Sequence, residues 1–184
     1  MGFRSRGTEL LPSRQDSTLS IDEKARYRQA LGAYATGVAV VTIARDAADA
    51  SQGALGVTIN SFTSVSLTPR LILWCLDDAS ERGAKFALAE TFAINVLAEG
   101  DRHVSDRFAR GDGYRLEPDE VVSGPRSGDA PLLTKAVTRL SCKVHARHQM
   151  GDHLVIVGEV TDFDTMEGDS LAYYRGRYGR IHAA

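Results

Sequence analysis

The chain has 184 residues, 43% of them hydrophobic and 25% charged, with a formal net charge of -2 at pH 7. This is ordinary for one globular domain with a substantial core, and the lack of a basic excess argues against a nucleic-acid-binding protein. No apolar run approaches the length of a membrane-spanning helix, and the first 20 residues lack the apolar centre of a signal peptide, so the expected location is the cytoplasm.

The amino-terminal part of the sequence predicts a leader, a helix and a strand. Residues 1–20 are polar and are expected to form a flexible leader ahead of a single domain over residues 21–184. Ser20 followed by Asp22 and Glu23 is typical of a helix start, because serine caps free backbone N–H groups and acidic residues favour the positive first turn. A helix over 22–33 and a buried β-branched strand over 38–43 are therefore predicted.

Residues 56–66 change character halfway along. Leu55, Val57 and Ile59 alternate with small or polar residues, as in a half-buried strand. Five of the seven residues from 60 to 66 then carry a hydroxyl or carboxamide group. Such side chains favour turns, and they also offer several hydrogen-bond donors. One interpretation is a polar loop that closes a hairpin, and the other is a surface that faces a ligand.

The remaining sequence is dominated by strands joined by short turns. The predicted elements are strands over 71–76, 91–97, 140–146 and 154–160, helices over 81–90 and 100–111, a loop over 111–131, and a last element at 171–174. Strict alternation in 140–146 predicts that Ser141 and Lys143 lie on a solvent-facing side. Because helices do not alternate with strands, we predict a mainly β protein, an antiparallel barrel or curled sheet with peripheral helices.

Several common catalytic signatures are absent from the sequence. There is no glycine-rich dinucleotide loop, Walker phosphate loop, nucleophile elbow or His-Glu-x-x-His. Cys75 and Cys142 fall in separate apolar runs and are predicted to be buried free thiols. We therefore expect no metal site and no nucleotide site of the glycine-rich type.

Other residues offer contacts to an anion. Arginines cluster over residues 102–110 and again over 175–180, although a solvated face is the simpler interpretation of each arginine. Residues 75–80 place a strand end against a helix start, where free backbone N–H groups, Ser80 and Lys85 could meet a phosphate. Plain helix capping is the alternative there.

Asn60, Asn95 and His153 are individual candidates for a polar site. The only two asparagines lie in or at the end of apolar strands, where asparagine is disfavoured. Either these are satisfied structural amides, or at least one faces a polar ligand. His153 follows a tight Gly151-Asp152 turn, so its ring stands either over a cleft or in solvent.

Taken together, these segments resemble the flavin reductase family, the split-barrel reductases that serve as the small component of two-component monooxygenases. The matching segments span about residues 24–181 and occur in the family's order. They are residues 34–42, 56–66, 75–80, 92–97, 151–153 and 173–178. The resemblance implies a six-stranded antiparallel split barrel, usually a homodimer with the flavin near the subunit interface.

The resemblance also implies a set of site residues. The flavin would lie along Thr58, Asn60, Ser61 and Phe62, with Thr63, Ser64, Cys75 and Leu76 beside it and Ser80 and Lys85 towards its phosphate. Thr36 and Gly37 would line the nicotinamide side, and His153 would lie near the nicotinamide. Either Tyr173 or Tyr174, together with Arg175, would close the pocket. Many members carry Arg or Ser where this chain has Asp77-Asp78-Ala79, so FMN and FAD both remain open.

The function implied is an NAD(P)H:flavin oxidoreductase that supplies reduced flavin to a partner monooxygenase. NADH or NADPH would be the reductant. The cofactor carries the chemistry, and the protein supplies placement and electrostatics. The alternatives are a non-enzymatic flavin-binding or sensing protein on the same barrel, and a related oxidase of a phosphorylated pyridoxal-type vitamer, which would need a stronger basic phosphate site.

Overall fold

The computed structural model describes residues 20–45, 54–77, 83–109, 115–126 and 128–181. Within them the helices are α1 (Ile21–Leu31), α2 (Gly83–Leu88) and α3 (Arg102–Ala109). The strands are β1 (Thr36–Gly37), β2 (Ala39–Ala44), β3 (Ala54–Ile59), β4 (Thr63–Leu67), β5 (Arg70–Asp77), β6 (Thr91–Val96), β7 (Arg115–Leu116), β8 (Val121–Val122), β9 (Leu132–Leu133), β10 (Thr138–Met150), β11 (His153–Thr165), β12 (Ala172–Tyr174) and β13 (Arg177–Gly179). The predicted leader over residues 1–20 lies outside this range except for Ser20.

The start of α1 follows the predicted capping chemistry. Ser20 Oγ accepts a hydrogen bond from the Glu23 backbone N–H at 3.2 Å, and the Glu23 carboxylate accepts one from the Ser20 N–H at 2.9 Å. This reciprocal pair satisfies two of the donors that a helix start leaves free. None of the residues of α1 is buried, and no described helix is long and apolar enough to cross a lipid bilayer.

An antiparallel sheet forms the body of the protein, which confirms the predicted mainly β fold. Its strand order is β4-β5-β11-β10-β6-β2-β3-β7, and a separate three-stranded sheet has the order β1-β12-β13. Within the described residues no ladder joins the end strands β4 and β7, so the barrel is open rather than closed. The sheet curls around a core in which Trp74 meets Phe86 and Phe92 edge to face, at centroid distances of 6.4 and 5.8 Å.

Several details differ from the sequence prediction. The predicted loop over 111–131 contains strands β7 and β8, and Cys75, predicted to be buried, is partly exposed. Residues 63–67 form strand β4 and pair with β5, so the second half of the polar run is not a loop. Ser141 is 2% exposed instead of facing solvent, because a register shift between Ser141 and Cys142 breaks the alternation. The hairpin of β10 and β11 has strands of 13 residues each, longer than predicted, because their outer halves continue beyond the apolar runs.

Candidate functional site

The loop over residues 60–62 crosses the gap in the barrel. It leads from β3, near one end of the sheet, to β4 at the other end. Ser61 Oγ accepts a hydrogen bond from the Cys75 N–H at 3.0 Å and lies 3.4 Å from the Cys75 carbonyl oxygen, to which it donates. The hydroxyl group thus bonds the backbone of β5 at a position beyond the last β4–β5 pair, Thr63 with Leu73, which explains why a polar residue follows an apolar strand here.

A cavity of about 220 Å³ lies at this gap, and we call it the seam cavity. It is lined by Val57, Thr58, Ile59, Asn60, Ser61, Cys75, Leu76, Asp77, Gly83, Phe86 and His153. These residues come from the ends of β3, β5 and β11 and from α2. Most of the wall is therefore fixed by main-chain pairing and by the core.

His153 stands at the start of β11, where the ladder pairs it with Asp77. Its Nδ1 lies 2.8 Å from the Asp152 carboxylate, and its side chain is 43% exposed. The hydrogen bond from His153 lowers the pKa of Asp152, with a further contribution from the charge of the ring when protonated. Asp152 therefore holds one ring nitrogen while the rest of the ring borders the seam cavity.

A second cavity, of about 560 Å³, lies on the other side of residues 58–60, and we call it the outer cavity. It is lined by Val38, Thr58, Ile59, Asn60, Arg102, Ser105, Asp106, Ala109, Tyr173, Gly176, Arg177 and Tyr178. Helix α3 and the β12–β13 hairpin supply most of it. Thr58 Oγ1 donates to the Ser105 carbonyl at 2.8 Å, which ties the shared wall to α3.

Tyr178 is the centre of a polar network in the outer cavity. Its hydroxyl group lies 2.9 Å from Ser105 Oγ and donates to Asp106 Oδ1 at 3.1 Å. Burial raises the pKa of Tyr178, and the neighbouring Asp106 carboxylate raises it further. The Arg102 guanidinium lies 5.1 Å from the centroid of the Tyr178 ring and bonds Asp106 at 3.3 Å. The protonated phenol of Tyr178 and the guanidinium group of Arg102, which is bonded to Asp106, thus both face the outer cavity.

The structure brings part of the predicted set together. The seam cavity is lined by six of the predicted residues: Thr58, Asn60, Ser61, Cys75, Leu76 and His153. The outer cavity is lined by three of them: Thr58, Asn60 and Tyr173. Thr36 and Gly37 form β1, which pairs with Tyr173 and Ala172 of β12. Phe62 packs against the core. Five other predicted residues are exposed and line neither cavity: Thr63, Ser64, Lys85, Tyr174 and Arg175. Ser80 lies outside the described residues.

Asn95 has a different role from the predicted cofactor contact. It is fully buried, and its amide nitrogen donates to the Val40 carbonyl and to Thr42 Oγ1, both at 3.0 Å. Its oxygen accepts from the Leu133 N–H at 2.9 Å. Because the carboxamide makes these bonds and the residue lines neither cavity, Asn95 is a structural amide and not the predicted cofactor contact.

The outer cavity contains residues that sequence reasoning did not select. Arg102 and Arg177 come from the two arginine clusters, which had no visible connection in the sequence. Arg107 instead forms an ion pair with Glu120, and Arg180 forms one with Glu99. Arg110 lies outside the described residues. The arginine clusters were thus the only sequence signal for these cavity residues. Which arginines line the cavity and which form ion pairs depends on the packing of α3 against the β12–β13 hairpin.

Comparison with known proteins identifies the family. Residues 31–182 match the model described as the flavin reductase like domain, so the chain belongs to the flavin reductase family. The described residues contain no group of three or more His, Cys, Asp or Glu side chains that could hold a metal ion.

Individual relatives give the same result. The chain is 38% identical over 155 residues to the FMN reductase (NADH) SmoA of Agrobacterium fabrum, covering 84% of each chain. It is 33% identical over 170 residues to the reductase component of the 4-nitrophenol 4-monooxygenase/4-nitrocatechol 2-monooxygenase of Rhodococcus opacus, covering 92% of this chain and 87% of the relative. Three other relatives are longer, and the chain spans only 50%, 63% and 49% of their lengths.

A solved structure shares the architecture. The NADH:FAD oxidoreductase SgcE6 of Streptomyces globisporus, in complex with NAD and FAD fragments, superimposes with a TM-score of 0.78 at 30% sequence identity. The match covers 90% of this chain and 97% of SgcE6. It agrees with the split-barrel fold expected from the sequence.

Proposed function

We propose that the protein transfers a hydride from NADH or NADPH to FMN or FAD and supplies the reduced flavin to a partner monooxygenase. Membership of the family and the activities named for its relatives support this function. The observation that carries it is the shared wall: residues 58–60 line both the seam cavity and the outer cavity. Ligands in the two cavities would lie beside the same three residues, and direct hydride transfer needs such proximity.

The seam cavity is the proposed place of the flavin ring. Bound flavin would supply the electron-accepting ring, and bound nicotinamide would supply the hydride. Cys75 and Leu76 form one side of the cavity, and Thr58, Asn60 and Ser61 form the other. Backbone N–H groups of Asn60 and Ser61, which line the cavity, are the proposed donors to the negative charge that develops on the flavin.

The nicotinamide is proposed to lie on the side of β1 and the outer cavity. Thr36 Oγ1 is buried and has no hydrogen-bond partner among the described residues. A buried hydroxyl without a partner is costly, so it is a candidate contact for a polar ligand group. Thr36 pairs with Tyr173, which lines the outer cavity. The neutral Tyr178 hydroxyl and Arg102 would orient a polar, anionic ligand there.

His153 is the proposed positioning group between the two ligands. Its ring borders the seam cavity, and its hydrogen bond with Asp152 fixes one nitrogen. The other nitrogen remains for a bond to the nicotinamide carboxamide or for passing a proton.

A homodimer is proposed for the functional form. All residues of α1 are outside the core, and Ile21 is 90% exposed. On the end strand β4, Val65 is 51% and Leu67 is 88% exposed. Apolar side chains on an unpaired edge strand are expected to be covered by a partner. Sedimentation of the wild type and of Leu67→Asp tests this: a monomeric wild type contradicts the dimer.

The function is tested by purification with cofactor identification, followed by anaerobic mixing with NADH and with NADPH. We expect the absorbance of oxidised flavin at about 450 nm to decrease, because the hydride reduces the ring. Steady-state turnover with both reductants then shows which is preferred. Failure of both reductants to bleach a bound flavin would contradict the proposal and favour a non-enzymatic flavin-binding protein.

A further inference from the structure

A third cavity, of about 660 Å³, lies between the carboxyl end of α1 and the turn that joins β12 to β13. Arg26 and Arg28 of α1 and Arg175 of the turn line it, together with Gln29, Gly32 and Gly176. We call it the arginine cavity. No described residue that lines it carries a carboxylate. Among the described residues, the three guanidinium groups form no ion pair, in contrast to Arg107, Arg139 and Arg180.

The backbone at Arg175 is unusual. The turn places Arg175 and Gly176 between the paired residues Tyr174 and Arg177, with φ angles of 49° and 76°. Positive φ at both central positions is the feature of a type I′ turn, which favours Asn-Gly, Asp-Gly or Gly-Gly. Arginine at the first position is disfavoured there, and such outliers concentrate at functional sites. Arg175 therefore adopts a backbone conformation that its residue type disfavours.

The turn is also held against α1. The Arg175 N–H donates to the Gly32 carbonyl at 2.8 Å, and a Cβ on Gly32 would lie 3.5 Å from Arg175 Cα. On its other side Gly176 lines the outer cavity. The turn is thus the common wall of the arginine cavity and the outer cavity, so one elongated ligand can occupy both.

We propose that the arginine cavity binds the diphosphate of the pyridine dinucleotide, with Arg26, Arg28 and Arg175 as its anion contacts. This inference rests on the proposed function, in which the nicotinamide lies on the side of β1 and the outer cavity. Guanidinium groups bind phosphate through charge-assisted and bidentate hydrogen bonds. The arginines also outweigh the carboxyl end of α1, whose partial negative charge would repel an anion.

A purely structural explanation makes a different prediction. Arginines near a helix carboxyl end stabilise the helix dipole, and in that case their loss would lower stability without affecting any ligand. Arg175→Asn separates the two explanations, because asparagine tolerates positive φ better than arginine. We expect this variant to keep or raise the melting temperature while it weakens dinucleotide binding.

The test measures binding of ADP-ribose, the non-redox part of the dinucleotide, by calorimetry in wild type, Arg175→Asn and Arg26→Ala/Arg28→Ala. We expect the Kd to rise about tenfold in each variant, with flavin Kd unchanged, and the KM for NADH to rise in parallel. Arg126→Ala, which removes an exposed arginine outside the cavity, serves as the matched control and keeps the wild-type Kd.

Inorganic pyrophosphate distinguishes a dinucleotide site from a site for free anions. We expect pyrophosphate to compete with ADP-ribose, and to do so less well at high salt, because the contacts are exposed charges. Unchanged ADP-ribose binding in both arginine variants would overturn the proposal, as would pyrophosphate that binds without competing. Because ADP-ribose binding needs no turnover, this result is independent of whether the protein reduces flavin.

Discussion

The seam cavity and the outer cavity share residues 58–60, but they are built in different ways. Strand ends of the main sheet form most of the seam cavity, and its polar residues are Thr58, Asn60, Ser61, Asp77 and His153. The outer cavity is built from α3 and the β12–β13 hairpin, and it contains Arg102, Asp106, Arg177 and Tyr178. The core therefore shapes one cavity, whereas packing of surface elements shapes the other.

This difference suggests that the two cavities bind different ligands, the flavin ring in the seam cavity and the nucleotide in the outer cavity. A cavity fixed by sheet pairing is suited to a flat ring that must be held without rearrangement. A cavity with guanidinium groups and a neutral phenol is suited to a polar, anionic nucleotide. Substitutions in the first should affect flavin binding and the chemical step, and substitutions in the second should affect the reductant.

The largest expected effect concerns the two cysteines. Cys75 borders the seam cavity, whereas burial raises the pKa of Cys142 to about 12, so at pH 8 only about one Cys142 in 10⁴ carries a thiolate. We expect iodoacetamide to label Cys75 at least about a hundredfold faster than Cys142, and Cys142 labelling to increase as the pH rises towards 12. Peptide mass spectrometry measures both rates.

The same experiment locates the flavin. Saturating FMN or FAD should protect Cys75 from labelling, whereas ADP-ribose should not. Equal protection by both compounds would contradict the assignment of the flavin ring to the seam cavity.

The next largest effect is expected for His153→Ala. Loss of the ring removes the positioning group, and misplacement of a reactant costs on the order of 10- to 100-fold in rate. Stopped-flow bleaching of the flavin under anaerobic conditions measures the hydride-transfer step. Asp152→Asn, which keeps the ring, should have a smaller effect. If His153→Ala changes neither the hydride-transfer rate nor the affinity for NADH, His153 has no such role.

A smaller effect is expected for Arg102→Ala in the outer cavity. One exposed charge-assisted contact is worth about a five- to tenfold change in affinity, so the KM for NADH should rise by that factor while flavin Kd stays the same. Arg107→Ala on the same helix is the control: it removes the ion pair with Glu120 and lowers stability, but it does not line the cavity. A larger change in flavin Kd than in KM would reverse the assignment of the two cavities.

The smallest effect is expected for Ser61→Ala. This change removes the bonds between the hydroxyl group and the Cys75 backbone, at a cost of about 1 kcal/mol in the free energy of unfolding. Flavin Kd should rise only a few fold, because the backbone of the loop remains. Ser66→Ala, which loses an exposed bond to the Thr68 N–H, is the control. Denaturant unfolding and flavin titration measure the two quantities, and equal losses in both variants would mean that Ser61 does not hold the gap.

The strands and the capped start of α1 could be predicted because their signals are local. Residues 38–43 and 71–76 are apolar over the length of a strand, and the Ser20 capping box lies within four residues. The polar run at 60–66 was recognisable as unusual for the same reason. Its division into a bridging loop and strand β4 was not, since it depends on pairing with β5.

Single residues were the least predictable part of the site. Asn60 and Asn95 looked alike in the sequence, yet one is an exposed residue beside two cavities and the other is a buried amide with all its bonds made. The sequence predicted a solvent-facing Ser141, but a register shift places this side chain in the interior. In each case the burial and the hydrogen bonds of the residue depend on which residues of other strands lie beside it.

The sequence by itself determined the mainly β fold, the family resemblance and the hydroxyl-rich stretch against which a flavin is expected, because strand periodicity and hydrogen-bonding composition are properties of adjacent residues. Only the tertiary structure decided which groups surround that stretch. The curl of the sheet brings the end of β3 to β5 and His153, and the packing of α3 against the β12–β13 hairpin brings Arg102 to Arg177. These contacts join residues that are distant in the chain, and their geometry follows from register and packing rather than from any local pattern.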